Sequence, residues 1–295
     1  MNSQKTTHLA KLALFAAALI WGISFIIVKN TVDVFPPNLI LAIRFTIAFA
    51  LLSVIYHRKY RLFNRQYLLS GMLLGFLLFL AFCWQTIGIT STTPGKNAFL
   101  TAIYCVLVPF IFWFVNHTRP DRYNFLAATL CFIGIGFVSL TQKLTIGQGD
   151  LLTLLGGLFF ALHIVAVAKV TQGKDTILLT ILQFGFAAIF SWIVTLLFES
   201  FPSVSVITGG SILGILYLAC FSTAIGLLLQ NVGQKYTNPA AASLILSLES
   251  VFGVLFSVLF FGDELTPKLL IGFVLIFISI VVSETKLSFL KKGPK

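Results

Sequence analysis

The chain has 295 residues, 58% hydrophobic and 10% charged, with 31 Phe, a mean hydropathy of +1.00 and a formal net charge of +11. Soluble globular chains carry about 25% charged residues, so a soluble architecture is excluded. The excess of Lys and Arg forms no stripe interleaved with exposed aromatics, which argues against a nucleic-acid partner. The expected partners are membrane lipids, whose anionic headgroups attract cations at span ends.

Charged residues gather in short clusters separated by apolar runs of about 20 residues, long enough as helices to cross a hydrocarbon core about 30 Å thick. Ten spans are predicted: 9–29, 38–56, 67–88, 94–115 and 122–140, then, after a short polar linker, 150–170, 176–198, 209–232, 239–261 and 267–284. The first run resembles a signal peptide, but it continues through Val28 without a small-residue cleavage pattern, so an uncleaved first helix is expected. With the N-terminus in the cytoplasm, 15 Lys and Arg fall on that side against four on the other, with Arg44 left inside span two. This bias puts both termini in the cytoplasm.

The spans repeat. TTPGKNAFLTAIYCVLVPFIFWF aligns with TNPAAASLILSLESVFGVLFSVLFF 145 residues later, Pro94 on Pro239 and Tyr104 on Glu249. Trp84-Gln85 falls on Leu229-Gln230 at the same offset. Earlier spans agree at an offset of 139, with WGIS at Trp21–Ser24 on FALH at Phe160–His163 and Arg44-Phe45 on Gln183-Phe184. The six extra residues fall around Glu199–Thr208, in an outside loop that tolerates insertion. Five spans per repeat is an odd number, so the second copy enters the membrane upside down. The predicted fold is an all-α integral membrane protein of ten transmembrane helices, two inverted five-helix repeats over 9–140 and 149–285, related by a pseudo-two-fold axis in the membrane plane.

The four Cys lie inside apolar runs without CxxC spacing, so they read as packing residues, with no zinc site or disulfide framework. No catalytic triad, phosphate-cradling loop or metal set presents itself, and neither a cofactor nor an enzymatic activity is expected. Gly71-x-x-x-Gly75 permits close helix approach and fits intramolecular packing as well as dimerisation. Pro94, Pro239 and Pro267 suit first helical turns, whereas the interior Pro109 should kink span four.

Polar groups inside the spans carry the functional reading, because the bilayer makes them costly and they usually face a bundle interior or an aqueous cavity. Glu249, near the middle of span nine, reads as a helix pin, a substrate contact or a proton carrier. Asn97, Thr101 and Tyr104 stand at i, i+4 and i+7 on one helix face and read as cavity lining. Gln85 and Gln230, with Trp84 and Asn231, offer hydrogen bonds and an aromatic wall, or interhelical glue. His163 is a packing histidine or a second proton carrier. Arg44 reads as structural, snorkelling outward or paired with a carboxylate; Lys96 reads as an interfacial lysine at the outer mouth.

The segments WGISFIIVK, AIRFTIAF, AFCWQTIGITSTTPGKNAFLTAIYCVLVPF and QNVGQKYTNPAAASLILSLESVFGVLFSVLFFGDELTPKLLIGFVLIFISIVV together resemble the drug/metabolite transporter superfamily, with two EamA-type repeats over nearly the whole chain. The resemblance implies a bacterial inner-membrane carrier whose central cavity is bounded by spans three, four, eight and nine, with one and six contributing. It carries over to Trp84, Gln85, Asn97, Tyr104, Gln230, Asn231, Ser243 and Glu249. It favours export of amino acids or related metabolites, aromatic ones included, by a monomer or weak dimer. A proton-coupled multidrug exporter is the alternative reading, ahead of a membrane enzyme acting on a lipid-linked substrate. One departure is visible: the family often follows the span-nine Glu with Pro, whereas Glu249 precedes Ser250, which puts a Pro-made bend there in doubt.

Overall fold

The structure is a computed structural model describing residues 3–117, 119–139, 146–237 and 245–286, with backbone only for 3–6, 116, 231, 234, 235 and 284. In hydrocarbon every peptide N–H and C=O needs a partner inside the protein, and a helix supplies all of them within one segment. The regular elements among the described residues are helices: α1 (Ser3–Val32), α2 (Pro37–Ile55), α3 (Arg65–Thr90), α4 (Pro94–Thr101), α5 (Tyr104–Asn116) and α6 (Arg122–Ser139). They continue with α7 (Gln148–Val170), α8 (Thr176–Phe198), α9 (Gly209–Tyr217), α10 (Gly226–Lys235), α11 (Leu248–Phe256) and α12 (Pro267–Thr285). A π-helical segment, Leu218–Ile225, joins α9 to α10 in one rod, and another, Ser257–Phe261, extends α11. Eight helical stretches among the described residues are long and apolar enough to cross a membrane, and two further apolar helices, Leu248–Phe261 and Pro267–Ser283, are shorter.

Local chemistry sets the helix starts. Pro37, Pro94 and Pro267 occupy first turns, where a missing N–H costs nothing. Asn64, Thr93, Asp175, Thr208 and Thr266 cap α3, α4, α8, α9 and α12 through side-chain oxygens. α2 has no side-chain cap of its own. The carboxylate of Glu199, across the bundle, accepts from the backbone N–H groups of Asn38 and Leu39 at 2.9 Å each. The stretch carrying the six extra residues therefore begins with a residue that anchors another helix.

Packing runs mainly between the two halves of the chain. α3 lies along α7 and α8, and α1 and α2 correspondingly lie along the 209–235 rod; α1 packs on α11 as α7 packs on α4 and α5. The remaining major pairs, α2 with α8, α6 with α12 and α4 with α11, join sequence-matched spans to each other, α11 being the counterpart of α5, the second helix of span four. Exchanging each span with its sequence match leaves this set of span pairs unchanged. The matched rings of Phe45 and Phe184 stack with centroids 6.1 Å apart in the core between α2 and α8.

Large apolar side chains cover the outside, Phe132 being 79% exposed. So extensive an apolar surface is rare on soluble monomers and suits contact with lipid tails. Gly71 and Gly75 resolve to packing within the chain: a Cβ on either would lie 2.6 Å from the Cβ of Leu182 or Phe186 on α8.

The irregularity in span four is not where Pro109 predicts it. Pro109 sits within α5, and the helix is interrupted at Ala102–Ile103 instead, where Cys105 N–H bonds the carbonyl of Ala102. The matched residue Ser247 takes the same bond from Ser250 N–H, immediately before α11 begins at Leu248. Val254 holds the place matched to Pro109, so proline does not account for the break.

Candidate functional site

The break in each half stands directly before a matched polar residue. Tyr104 opens α5, Glu249 lies in the first turn of α11, and the Tyr104 hydroxyl donates to Glu249 Oε1 at 2.9 Å. The pair borders an open cavity, with about 770 Å³ of space not filled by atoms when its solvent-filled mouth is included. Its wall includes Trp21 and Ser24 from α1, Arg44 from α2, Phe82 and Gln85 from α3, Asn97 and Thr101 from α4, and Tyr104 from α5. Phe25 from α1, Phe160 and His163 from α7, Ser222 and Gln230 from the 209–235 rod and Glu249 complete its polar and aromatic lining.

Most polar groups of the wall are held in place by neighbours. Gln85 Nε2 donates to Thr101 Oγ1 at 3.0 Å. Asn97, fully buried, donates to Thr153 Oγ1 at 2.7 Å and to the Gln85 carbonyl at 3.2 Å, while its Oδ1 has no partner among the described residues. His163 Nε2 lies 3.0 Å from Gln183 Oε1. Glu249 is 6% exposed, and a carboxylate with one hydrogen-bond donor that borders a cavity retains capacity to accept from a solute or water.

The sequence-predicted set divides as follows. Gln85, Asn97, Thr101, Tyr104, His163, Gln230 and Glu249 line the cavity together. Trp84 does not: Leu78, Phe82, Gln85 and Ile89 form the cavity face of α3, and Trp84 is turned about 100° from Gln85 by the helical step. Ser243 and the side chain of Asn231 lie outside the described residues.

Arg44 neither snorkels outward nor pairs with a carboxylate among the described residues. It is 2% exposed and makes no ion pair among the described residues. Its Nε donates to Thr223 Oγ1 at 2.8 Å and its Nη2 to Ser222 Oγ at 3.3 Å, with the guanidinium carbon 4.6 Å from the Phe82 ring centroid. The sequence signal for this cluster is the polar pair Ser222-Thr223 inside an apolar span.

Charged groups also join the bundle at both ends of the helices. Lys29 donates to the carbonyls of Ile89, Thr90 and Thr92 at 2.8, 3.2 and 3.1 Å. Thr92 donates to the buried Asp150 at 2.5 Å, and Lys96 lies 3.7 Å from the same carboxylate. At the other end Asp175 pairs with Lys59 at 2.5 Å. Burial raises the Asp175 pKa, but the Lys59 hydrogen bond, backbone donors and the Lys59 charge outweigh it and leave the group below the usual carboxylate range. Among the described residues no three His, Cys, Asp or Glu come together as a metal-ligand set.

The sequence profile described as the EamA-like transporter family matches residues 8–140 and again 147–285. An uncharacterized transporter of Archaeoglobus fulgidus is 32% identical over 277 residues, covering 92% of this chain and 85% of its own length. The uncharacterized transporter YyaM of Bacillus subtilis is 25% identical over 284 residues, 92% of each chain. One crystal structure superposes over 97% of this chain and 99% of its own with a TM-score of 0.69 at 17% identity, a likeness of fold.

Proposed function

We propose that this chain, which belongs to the EamA-like transporter family, is an alternating-access carrier exporting amino acids or related small metabolites. Its ten spans form two inverted five-helix repeats, 9–140 and 149–285, in a bacterial inner membrane with both termini cytoplasmic. One repeat rocks against the other and exposes the cavity first inside and then outside.

The observation that carries this reading is the Tyr104–Glu249 pair: two sequence-matched positions, each just past a helix break, meet at the wall of a cavity lined by both halves. Rocking changes the contacts between repeats more than those within them, and here the major packing lies between the halves. The Thr92 and Lys96 contacts of Asp150 join the two repeats; they would close the outer end and must part for release.

Glu249 supports a second reading in which transport is driven by protons and the substrates are drugs. A carboxylate in a membrane-embedded cavity, with His163 on the same wall, has the chemistry of a proton carrier. Counterflow in liposomes of purified protein tests the carrier reading. Preloading with the true solute class should drive accumulation of its labelled form. If amino acids, nucleosides, sugars and cationic drugs all fail in right-side-out and inverted vesicles alike, the carrier proposal is wrong.

A further inference from the structure

The guanidinium of Arg44 is a cation inside the bundle without a counter-charge among the described residues. Isolated charges in such an environment are costly. Thr223 and Ser222 take two of the five N–H groups a guanidinium carries. Thr223 directs its own proton to the Leu218 carbonyl at 2.8 Å, leaving its lone pairs to Arg44. That five-residue step uses the π-helical segment, and π-helical turns recur at functional sites. Arg44 lines the cavity, and its Nη1 has no hydrogen bond among the described residues.

The sequence match sharpens the point. Gln183 stands where the second repeat corresponds to Arg44, and its Oε1 pairs with His163 Nε2. The frame thus accepts a neutral amide in this place, and packing alone does not demand a cation there. The other matched pair of the lining reverses the asymmetry, with the neutral Tyr104 in the first repeat and Glu249 in the second.

Building on the carrier reading, we propose that Arg44 is a carboxylate subsite: its free N–H groups bind the acid group of the transported solute, which therefore belongs to the carboxylate-bearing metabolites. A guanidinium pairs with a carboxylate through two parallel N–H···O bonds. Thr223, Ser222 and the Phe82 ring hold it ready. Glu249, on the same cavity wall, accepts from an ammonium group when the solute is an amino acid.

Binding, not transport, is the test, so that a failure of the carrier reading stays distinguishable. Protein in lipid nanodiscs is titrated at constant ionic strength with L-phenylalanine, benzoate and 3-phenylpropanoate, each beside its primary amide. Thermal stability and tryptophan fluorescence are the readouts. At least one acid should bind about tenfold or more tightly than its amide, and Arg44→Gln should erase that preference. Equal response to acids and amides, a null response included, overturns the proposal, as does an acid preference that survives Arg44→Gln.

Should that variant not fold, the wild-type protein is treated with butanedione and Arg44 modification is read by peptide mass. Protection by an acid and not by its amide sustains the subsite; an Arg44 that is unreactive or protected equally by both removes it.

Discussion

Tyr104 and Glu249 illustrate what a single hydrogen bond does in hydrocarbon. An acidic residue at the centre of a membrane helix costs about 2.5–3.5 kcal/mol on insertion scales, and the tyrosine hydroxyl offsets part of this. Tyr104→Phe should lower stability by about 1–3 kcal/mol, because it strands a buried acceptor, and a thermal melt in detergent reads the change. Glu249→Gln keeps an oxygen to accept from Tyr104 but cannot carry a proton. On the proton-driven reading it should leave solute exchange between vesicle faces intact while abolishing the response to an imposed pH gradient. Loss of both activities with normal folding would instead make Glu249 a substrate ligand.

At the scale of elements, helix contacts depend on residues too small to keep the backbones apart. A Cβ on Gly75 would meet the Phe186 Cβ at 2.6 Å and the Gln183 carbonyl at 2.7 Å, whereas one on Gly209 would meet nothing within 4 Å. Gly75→Leu should cost at least about 1–3 kcal/mol by overpacking α3 against α8, read as loss of the monodisperse peak on size exclusion; Gly209→Ala should elute as wild type. The start of α8 carries a pH dependence of defined sign. Asp175 is depressed in the folded protein, so its contribution is present above the unfolded carboxylate range, about pH 4, and is lost as pH falls through the lower folded value. Asp175→Asn should show a lower melting temperature than wild type at neutral pH, and the gap should narrow on acidification. A gap of constant size down to the lowest tolerated pH would assign the effect to packing. The contribution is modest because Lys59 and Asp175 are both partly exposed.

For the molecule as a whole, the inverted arrangement makes a prediction about sidedness. Ser203 and Arg58 are both exposed, and the proposed topology places them on opposite faces of the membrane. In a Cys220→Ala background, with the remaining cysteines buried, Ser203→Cys should react with a membrane-impermeant maleimide in intact cells. Arg58→Cys should react only after lysis. The reverse pattern, or equal labelling, would refute the proposed topology.

The sequence by itself determined which segments are helical in lipid, where most begin, and which residues match. Apolar runs, prolines and capping side chains act locally, and the period of the repeat is written along the chain. It also marked Asn97, Thr101, Tyr104, Gln85 and Glu249, because polar residues in apolar helices are few. Only the tertiary structure decided that Tyr104 bonds Glu249, that turns at Ala102–Ile103 and Ser247 stand just before them, and that Trp84 turns away. It alone placed Arg44 between Thr223 and Ser222, more than 170 residues along the chain. Those outcomes depend on which faces of distant helices meet. Local propensity carries little information about that, since packing against a neighbour sets each helix's rotation and supplies the partners that a buried polar group requires.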